Sequence, residues 1–456
     1  MFKFFTKDKT PIVEQVKDKA PHVKSQIIEL NDGLNGSFVP TSGNTGFYLS
    51  YFRNIGDAFN FAAKVAPVGD AIKMRSNEYS QINKVLYKRD PKTGKAISDF
   101  NHPFLKLLEN PNFKQTGIGF DKDFSNHKII GGNVFIRASG LNFSAPPKEL
   151  NCLDPRLMSI DSDTGNFVKE YRFDNGGRSE VFKASNIDPR TGKLSPRTRY
   201  FSSTAELYHY KNPTISNPLG LAGDSDLQPL IDEILQYQYA SFHNKSMLIN
   251  GMRPSGILVY KGQGEISDED IERCKEQLNE ASGMANAGKR LILGNDFHWT
   301  PLSENMKDGD FLKNKRDNAD NIYSTLGIPL ALSTQTATMT YSNMDSARSL
   351  LYHSTVLPFA KENYAELKST IFNDRYSDSD NYYSLGYDIS SIPALQTEML
   401  DKSIKMKETE ALTLNERRSY LGVGDSDEFG DKIMVHSGSV AIGDDTNKSN
   451  NFGNEV

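Results

Sequence analysis

Residues 283–290 read GMANAGKR, which fits the GxxxxGK spacing of a nucleotide-binding loop. That motif binds phosphates when a strand precedes it, a helix follows it, and a Ser or Thr after the Lys holds Mg²⁺. Here a helix pattern precedes the motif, a strand pattern follows it, and Arg290 takes the hydroxyl position. The context therefore favours a helix-to-strand turn, and an ATPase is kept only as an alternative.

Other reactive groups are scattered along the chain rather than grouped. The eight histidines include no pair at metal-ligand spacing and no HExxH motif, whereas zinc sites need clustered ligands. No nucleophile and base stand at a recognisable spacing, although such groups converge in space rather than in sequence. Cys152 and Cys274 allow at most one disulfide, and we expect both to be reduced and structural. We predict no catalytic residue, no metal, no cofactor and no enzymatic activity.

Charged stretches have ordinary explanations. The segment SDEDIERCKEQLNE, residues 267–280, is predicted to be the solvated acidic face of a helix. A second stretch, DPRTGKLSPRTR from Asp188, is predicted to be a solvated hairpin turn, because charge runs usually are. Its cations are Arg190, Lys193, Arg197 and Arg199. The formal net charge of −5 argues against a sequence-specific DNA-binding protein, but it suits a protein that lets DNA pass without holding it.

An uncharged stretch, LSTQTATMTYSNMDSA, occupies residues 332–347 and has no charge before Asp345. Its threonines at 334, 336, 338 and 340 fall on alternate positions, in a chain that is 24% charged. Fully extended, residues 330–341 span at most ~40 Å, so a loop that leaves and returns can project ~20 Å. Loops of this length in compact proteins are usually functional or disordered, and a flexible surface linker is the alternative.

The elements around these stretches indicate an α+β protein. With 456 residues, 37% of them hydrophobic, the chain can form two or three folding units and has no run of ~20 apolar residues to span a membrane. The start, MFKFFTKDK, is too short in apolar residues for a signal peptide, so a cytoplasmic start is expected. Between about residues 40 and 223, turn signals at Arg89, Asp161 and Asp188 predict hairpins of an antiparallel sheet.

Two long helices bracket a small insert. The first is predicted over residues 224–250, with Asp226 as its cap and Pro229 in the first turn. The second is predicted over residues 308–326, ended by Gly327 in a left-handed conformation and by Pro329. The insert, residues 252–303, has a βαββ pattern, whose helix begins with the capping pair Ser267 and Asp270.

A further long helix is predicted to open at Ser342 and to be kinked at Pro358, which cannot donate a backbone hydrogen bond and crowds the preceding turn. A short strand, YYSLGYDI, then leads to a helical pair over residues 395–421. The polar C-terminal tail is predicted to be disordered.

In this order, the elements and several motifs resemble the portal proteins of tailed double-stranded-DNA phages, in particular the siphovirus-like and gene-transfer-agent portals. The resemblance covers about residues 62–421. The motifs are HPFLKLLENPN (102–112), IIGGNVFI (129–136), LNCLDPRLM (150–158), LYHYKNP (207–213), NPLGLAG (217–223), NGMRPSGIL (250–258), STLGIPLALS (324–333), TYSNMDSARSLLYHSTVLPF (340–359) and LTLNERRSYLG (412–422).

The resemblance implies a portal fold and a division of the chain. An α/β wing, two stem helices bracketing a βαββ clip, a tunnel loop with a kinked long helix after it, and a helical crown are expected. The implied boundaries are 1–39 N-terminal arm, 40–223 wing, 224–251 first stem helix, 252–303 clip, 304–329 second stem helix, 330–341 tunnel loop, 342–394 second part of the wing, 395–438 crown and 439–456 disordered tail.

The resemblance also implies a function without an active site. It implies a homo-oligomeric ring of twelve subunits at one capsid vertex of the virion, assembled in the host cytoplasm and not in a membrane, through which DNA is packaged and ejected. The implied partners are double-stranded DNA, bound without sequence specificity, the terminase large subunit, head-tail connector proteins, and the major capsid and scaffold proteins. Another head-tail connector or minor head protein is the main alternative, and a packaging ATPase the weaker one.

Two sets of site residues follow from the resemblance. The tunnel loop is expected to narrow the channel with Ser333, Thr334, Gln335, Thr336, Thr338, Met339, Thr340 and Tyr341. A ring of Lys or Arg there would hold phosphates and resist sliding, whereas hydroxyl, amide and thioether groups form contacts that break easily. The clip is expected to dock the terminase and later the connectors through Glu265, Asp268, Glu269, Glu272, Lys275 and Glu276.

Overall fold

The computed structural model of the chain describes most of residues 52–420 and short segments beyond them. The described ranges are 38–39, 47–49, 52–89, 96–140, 142–143, 145–162, 167–189, 192–215, 220–249, 256–261, 267–281, 297–301, 308–333, 341–376, 382–408, 412–420, 430–431, 434–435 and 440–441.

Helices form the larger part of the described chain. They are α1 (Phe52–Lys64), α2 (Ala66–Ser80), α3 (Pro103–Glu109), α4 (Gly117–Gly131), α5 (Ile231–Ile249), α6 (Asp268–Ala281), α7 (Asp308–Thr325), α8 (Tyr341–Leu351), α9 (Leu357–Leu367), α10 (Asn373–Arg375), α11 (Pro393–Glu408) and α12 (Leu414–Tyr420). Two π-helical turns, Tyr352–Val356 and Lys368–Phe372, join α8, α9 and α10 into one long helix. Short 3₁₀ turns occur at Pro155–Leu157, Gln228–Leu230, Leu330–Leu332 and Ile389–Ser391.

The strands are paired antiparallel throughout the described sheets. They are β1 (Phe38–Val39), β2 (Phe47–Leu49), β3 (Lys84–Arg89), β4 (Ala96–Asp99), β5 (Asn133–Ser139), β6 (Glu149–Leu153), β7 (Met158–Ser162), β8 (Val168–Asp174), β9 (Ser179–Ile187), β10 (Leu194–Phe201), β11 (Ala205–Lys211), β12 (Gly256–Tyr260), β13 (Phe297–Pro301), β14 (Tyr382–Tyr387), β15 (Met434–Val435) and β16 (Val440–Ala441). The main sheet has nine strands in the order β1-β2-β7-β8-β9-β10-β11-β5-β6, and β14-β3-β4 form a three-stranded sheet.

Strand β5 is covered on both faces of the main sheet. Val134 and Ile136 pack into the larger core, which holds α1, α2, α4 and the long helix. Phe135, between them, points to the opposite face and joins a second core with Met158 and Phe182. Because successive side chains of a strand alternate between faces, a strand covered on both sides is buried along its length.

The main sheet, the hairpins and the long helices confirm the predicted α+β class. The hairpins β3-β4, β7-β8 and β9-β10 lie where the turn signals placed them. The insert forms β12, α6 and β13, with β12 paired to β13, and its expected third strand lies outside the described residues. The tail predicted to be disordered from residue 439 differs at Val440–Ala441, which pairs with β15.

The predicted cap of the first long helix is wrong. The helix begins at Ile231, after a 3₁₀ turn that contains Pro229. The carboxylate of Asp226 accepts hydrogen bonds instead from Arg75 on α2 (3.0 Å) and from Asn212 (3.0 Å). Asp226 thus pairs with a charged residue that is distant in sequence and does not cap the helix.

The prediction of a solvated basic hairpin is wrong for Arg199, which is only 4% exposed. Its Nε and Nη2 donate to the two carboxylate oxygens of Glu206 at 2.5 and 2.8 Å. Arg197 bonds to Asp374, and Arg375 donates to Glu206, so the end of the long helix is fixed to the sheet. Lys193 is exposed, and Arg190 lies outside the described residues.

Two of the sequence motifs, IIGGNVFI and NPLGLAG, meet at one junction. Gly132, with φ of 66°, caps α4 in a left-handed conformation, and a Cβ there would lie 2.3 Å from the carbonyl oxygen of Asp224. Asn133 donates to the carbonyls of Gly131 (2.7 Å) and Gly223 (2.9 Å) and accepts from the N–H of Gly223 (2.8 Å). The backbone polar groups at this close approach are therefore paired within the protein.

Gly132→Ala should destabilise the fold more than the same change at Gly192. Both glycines have φ of 66°, but nothing lies within 4 Å of a Cβ at Gly192. The left-handed conformation costs about 1–2 kcal/mol in either variant, and the clash at Gly132 adds about 1–3 kcal/mol. Urea unfolding of both variants measures the difference, and equal losses would show that the close approach carries no energy.

Candidate functional site

The helix pair α5 and α7 frames the candidate site. The two helices pack against each other and bracket the insert of β12, α6 and β13. The Nζ of Lys315 on α7 lies 4.9 Å from the ring centroid of Tyr237 on α5. Tyr323, in the last turn of α7, donates to Asp70 on α2 at 2.7 Å. The pair is thus fixed to the body of the protein at the end of α7.

The insert presents an acidic helix to solvent. Ser267 Oγ accepts from the N–H of Asp270 at 3.2 Å and contacts its carboxylate at 2.7 Å, which confirms the predicted capping pair. The predicted docking residues Asp268, Glu269, Glu272, Lys275 and Glu276 are all exposed on α6, and Glu265 lies outside the described residues. An exposed acidic surface of this kind favours a partner with a basic patch.

The end of α7 is closed by a Schellman motif, as Gly327 and Pro329 predicted. Gly327 has φ of 77°. Its N–H donates to the carbonyl of Ser324 at 3.0 Å, and the N–H of Ile328 donates to that of Tyr323 at 2.9 Å. These bonds pair two of the carbonyls that a helix end leaves without intrahelical partners, so α7 stops at a defined residue.

The structure describes the first residues of the uncharged loop, as far as Ser333. Leu330–Leu332 form a 3₁₀ turn. Ser333 is only 5% exposed, and its hydroxyl donates to the carbonyl of Leu330 at 2.9 Å. Ser333 is therefore an anchor of the loop in the subunit rather than an open surface residue. The predicted channel residues Thr334, Gln335, Thr336, Thr338, Met339 and Thr340 lie outside the described residues, and Tyr341 is the first residue of α8.

The π-helical turn Tyr352–Val356 directly precedes Pro358, where the sequence predicted a kink. The N–H of Leu357 donates to the carbonyl of Tyr352, five residues back, in place of the usual four. Pro358 is exposed and follows in the first turn of α9. The structure thus has an irregular turn at this point, and the size of any bend stays a prediction.

Each of the four polar side chains in this turn has a different partner. Tyr352 donates to Glu78 on α2 at 2.5 Å, and His353 Nε2 lies 2.7 Å from the carboxylate of Glu398 on α11. Ser354 donates to the carbonyl of Leu350 in its own helix, and Thr355 donates to the carbonyl of Gly327 at the end of α7. The turn therefore connects three elements that are far apart in the chain.

Electrostatics strengthen the contact between the turn and α11. Hydrogen bonds from Lys402 and then from His353 lower the pKa of Glu398 to about 2. Glu398 therefore remains charged through the physiological range and accepts from His353, Lys402 and Ser349 together. At the contact of the turn with α2, burial raises the pKa of Tyr352, so its hydroxyl stays protonated and donates to Glu78.

The thiol of Cys152 and the imidazole of His127, two half-buried residues, lie close together but do not form a reactive pair. Cys152 Sγ is 3.2 Å from His127 Nδ1. Burial raises the pKa of the Cys152 thiol well above its usual value and lowers that of His127 to about 4. Both groups stay neutral, whereas nucleophilic cysteines need a lowered pKa, so the pair is structural.

Within the described residues, no group of three or more His, Cys, Asp or Glu could hold a metal ion.

Sequence reasoning missed the π-helical turn and its partners. The signals were Pro358 and the run of four polar side chains, YHST, between the apolar pairs Leu350–Leu351 and Val356–Leu357. In the part of the chain that the structure describes, no helix is long and apolar enough to cross a membrane.

Comparison with known proteins gives consistent matches over most of the chain. A profile of the phage portal protein family matches residues 67–422. An uncharacterized protein of Rickettsia bellii is 31% identical over 339 residues, 73% of this chain and 80% of the relative. One of Rickettsia felis is 31% identical over 343 residues, 75% of this chain and 81% of the relative.

Solved structures share the fold. The neck of a native gene transfer agent particle, computed with C12 symmetry, has a chain with a TM-score of 0.58 and 22% identity, covering 86% of this chain and 97% of that one. An HK97-family phage portal protein from Corynebacterium diphtheriae has a TM-score of 0.50 and 14% identity, covering 75% and 95%. These likenesses confirm the predicted portal fold.

Tyr352→Phe should lower the free energy of unfolding by about 1.5–3 kcal/mol, because the lost hydrogen bond has a charged acceptor. Combining it with Glu78→Gln should cost less than the two single changes together, since both remove one interaction. Tyr200→Phe is the control, because its hydroxyl contacts the neutral carbonyl of Val168 at 3.3 Å and its loss should cost about 1 kcal/mol or less. Additive losses at 352 and 78 would contradict the coupling.

Proposed function

The chain belongs to the phage portal protein family, and from this premise we propose that it forms a ring-shaped channel through which DNA enters and leaves a capsid. A portal protein is a structural component and not an enzyme, so ATP hydrolysis during packaging belongs to a partner. The observation that carries the proposal is the pair α5 and α7, which brackets the insert β12-α6-β13 and ends at the uncharged loop.

The ring is proposed to contain twelve subunits at one vertex of the virion. The C12 symmetry with which the neck of the native gene-transfer-agent particle was computed supports this number. The neck of the empty particle was computed with C6 symmetry, which is compatible with twelve subunits because six divides twelve. A protein that encloses DNA in such a ring need not carry a strong positive charge, and the net charge of −5 agrees with passage rather than tight binding.

The parts of the chain receive proposed roles. Helices α5 and α7 form the stem, β12, α6 and β13 belong to the clip, and the main sheet with α1–α4 and the long helix forms the wing. Helices α11 and α12 form the crown, and residues 330–341 form the tunnel loop. The finer boundaries proposed are those of the sequence analysis, with residues 38–39 added to the wing as the edge strand β1.

The clip is proposed to dock the terminase large subunit and afterwards the head-tail connectors. Its support is the exposed face of α6, where Asp268, Glu269, Glu272 and Glu276 outnumber Lys275 among the proposed contacts. The ion pair between Lys275 and Glu272 (3.2 Å) is exposed and adds little stability, so these side chains are free to exchange it for a partner. Major capsid and scaffold proteins are the proposed partners of the wing.

The tunnel loop is proposed to line the narrowest part of the channel. Both of its ends are held in the subunit, at Ser333 and at the start of α8. The proposed contacts with DNA are Thr334, Gln335, Thr336, Thr338, Met339 and Thr340, whose side chains carry no charge. The hydroxyl and amide donors among them are neutral, so their hydrogen bonds with passing phosphates exchange readily with water. The Met339 thioether adds a contact without charge, and both properties suit sliding.

The purified full-length protein should form rings with a central hole. Negative-stain microscopy gives the shape, and native mass spectrometry gives the number of subunits. A monomer at all protein concentrations, or a closed assembly without a hole, would overturn the proposal. Thermal stabilisation by nucleotide with Mg²⁺ would favour the alternative of a packaging ATPase, and a portal protein should show none.

Replacing Thr338 and Met339 together by Lys should leave ring assembly intact and impair DNA packaging. Twelve copies would add a double ring of positive charges, and each charge that holds a phosphate must be released before DNA advances. The measurement is DNase-protected DNA per particle, with Thr338→Ser and Met339→Leu as the uncharged control. Normal packaging by the lysine variant would show that these residues do not line the constriction.

A further inference from the structure

The carbonyl of Gly327 is held by a side chain from a different helix. The Schellman bonds at the end of α7 use the carbonyls of Tyr323 and Ser324. The carbonyl of Gly327 itself accepts from Thr355 Oγ1 at 2.7 Å, across 28 positions of the chain. Thr355 is half-buried in the π-helical turn, so the bond is partly shielded from water.

The fit between the two residues is close. A Cβ at position 327 would lie 2.6 Å from Thr355 Oγ1 and 2.9 Å from its Cγ2. Gly327 also has φ of 77°, which glycine adopts without strain. The absence of a side chain at Gly327 therefore serves both the turn of the backbone and the approach of Thr355.

Thr355 uses its hydroxyl differently from its helical neighbours. Ser and Thr inside a helix commonly donate to a carbonyl three or four residues back in the same helix. Ser354 does this with Leu350 (2.7 Å), and Thr370 in the second π-helical turn does it with Glu366 (2.7 Å). Thr355 donates instead to another element, so its bond contributes to tertiary structure.

The bond closes the base of the uncharged loop. Gly327 lies on the side where the chain leaves α7, and Thr355 lies on the long helix that begins at Tyr341, where the chain returns. The hydroxyl thus connects the outgoing side directly to the returning side. Pro329 and the 3₁₀ turn Leu330–Leu332 follow Gly327 within a few residues, so a shift at Gly327 moves the start of the loop.

We propose that Thr355 is a positioning residue of the channel: its hydroxyl fixes the end of α7 against the long helix and thereby sets the place from which the tunnel loop projects. This rests on the proposed function for its consequence in DNA passage, but the structural role of the bond does not. In a ring, every copy of the loop would start from the same place relative to the long helix, which a narrow channel requires.

The test compares three full-length variants. Thr355→Val keeps the shape of the side chain and removes the hydroxyl, and Thr355→Ser keeps the hydroxyl. Ser369→Ala is the control, because it removes an exposed hydroxyl that donates to the carbonyl of Glu366 in its own helix (3.0 Å). Amide hydrogen exchange of residues 326–333 reports the end of α7, and DNase-protected DNA per particle reports packaging. Ring formation is checked for each variant by negative-stain microscopy.

Thr355→Val should form rings, exchange the amides of residues 326–333 about fivefold faster, as expected for the loss of one hydrogen bond, and package less DNA. Thr355→Ser should restore both readouts, and Ser369→Ala should change neither. Unchanged exchange in Thr355→Val, failure of Thr355→Ser to restore it, or an equal effect of Ser369→Ala would overturn the positioning role.

Two outcomes separate this inference from the proposed function. If Thr355→Val shows faster exchange but normal packaging, the hydroxyl positions the end of α7, and its proposed part in DNA passage is overturned. If the wild-type protein forms no rings, the proposed function fails, and the exchange measurement still decides whether Thr355 positions the end of α7.

Discussion

The close approach of the backbone at Gly132 and Gly223 is the constraint on which the rest of the fold depends. A Cβ at Gly223 would lie 2.3 Å from the carbonyl oxygen of Gly132, so neither position accommodates a side chain. At this point α4 ends, β5 begins and the chain turns towards α5. Asn133 and Asn212 bind the backbone groups that this crossing would otherwise leave unpaired, and the directions of the sheet and of the helix pair are set together.

Buried charges then attach the long helix to this frame at two places. Lys128 on α4 is fully buried and donates to Asn363 (2.6 Å) and Glu366 (2.8 Å). Further along, Glu206 on β11 accepts from Arg199 and Arg375. A buried charge that loses its partner is strongly destabilising, whereas apolar contacts tolerate small shifts. These clusters therefore favour one position of the helix along the sheet over sliding alternatives.

Local patterns predicted much of this architecture, and the misses have a common cause. Gly327 and Pro329 ended a helix as expected because a helix end is decided within a few residues. Asp226 was misjudged because its partner Arg75 is distant in sequence. Arg199 was misjudged because Glu206, on the paired strand β11, is buried with it against Arg375 of the long helix, and no local rule predicts that burial. The charge pattern of α6 correctly predicted that its acidic face is exposed. Its proposed partners, and the role of the loop, came only from resemblance to a family.

The π-helical turns are the feature that periodicity could least reveal, and they determine the phase of the long helix. Twenty residues of regular α-helix would place Phe372 about 200° around the axis from Tyr352, yet both side chains are buried. Each π-helical turn absorbs one residue, about 100° of rotation, so the two turns together return Phe372 to the side of Tyr352. Removing one turn by a single deletion would rotate everything after it by about 100°, whereas removing both would restore the phase. The two extra residues thus form a matched pair, and a change in helix length at one turn is compatible with the core only when the other changes with it.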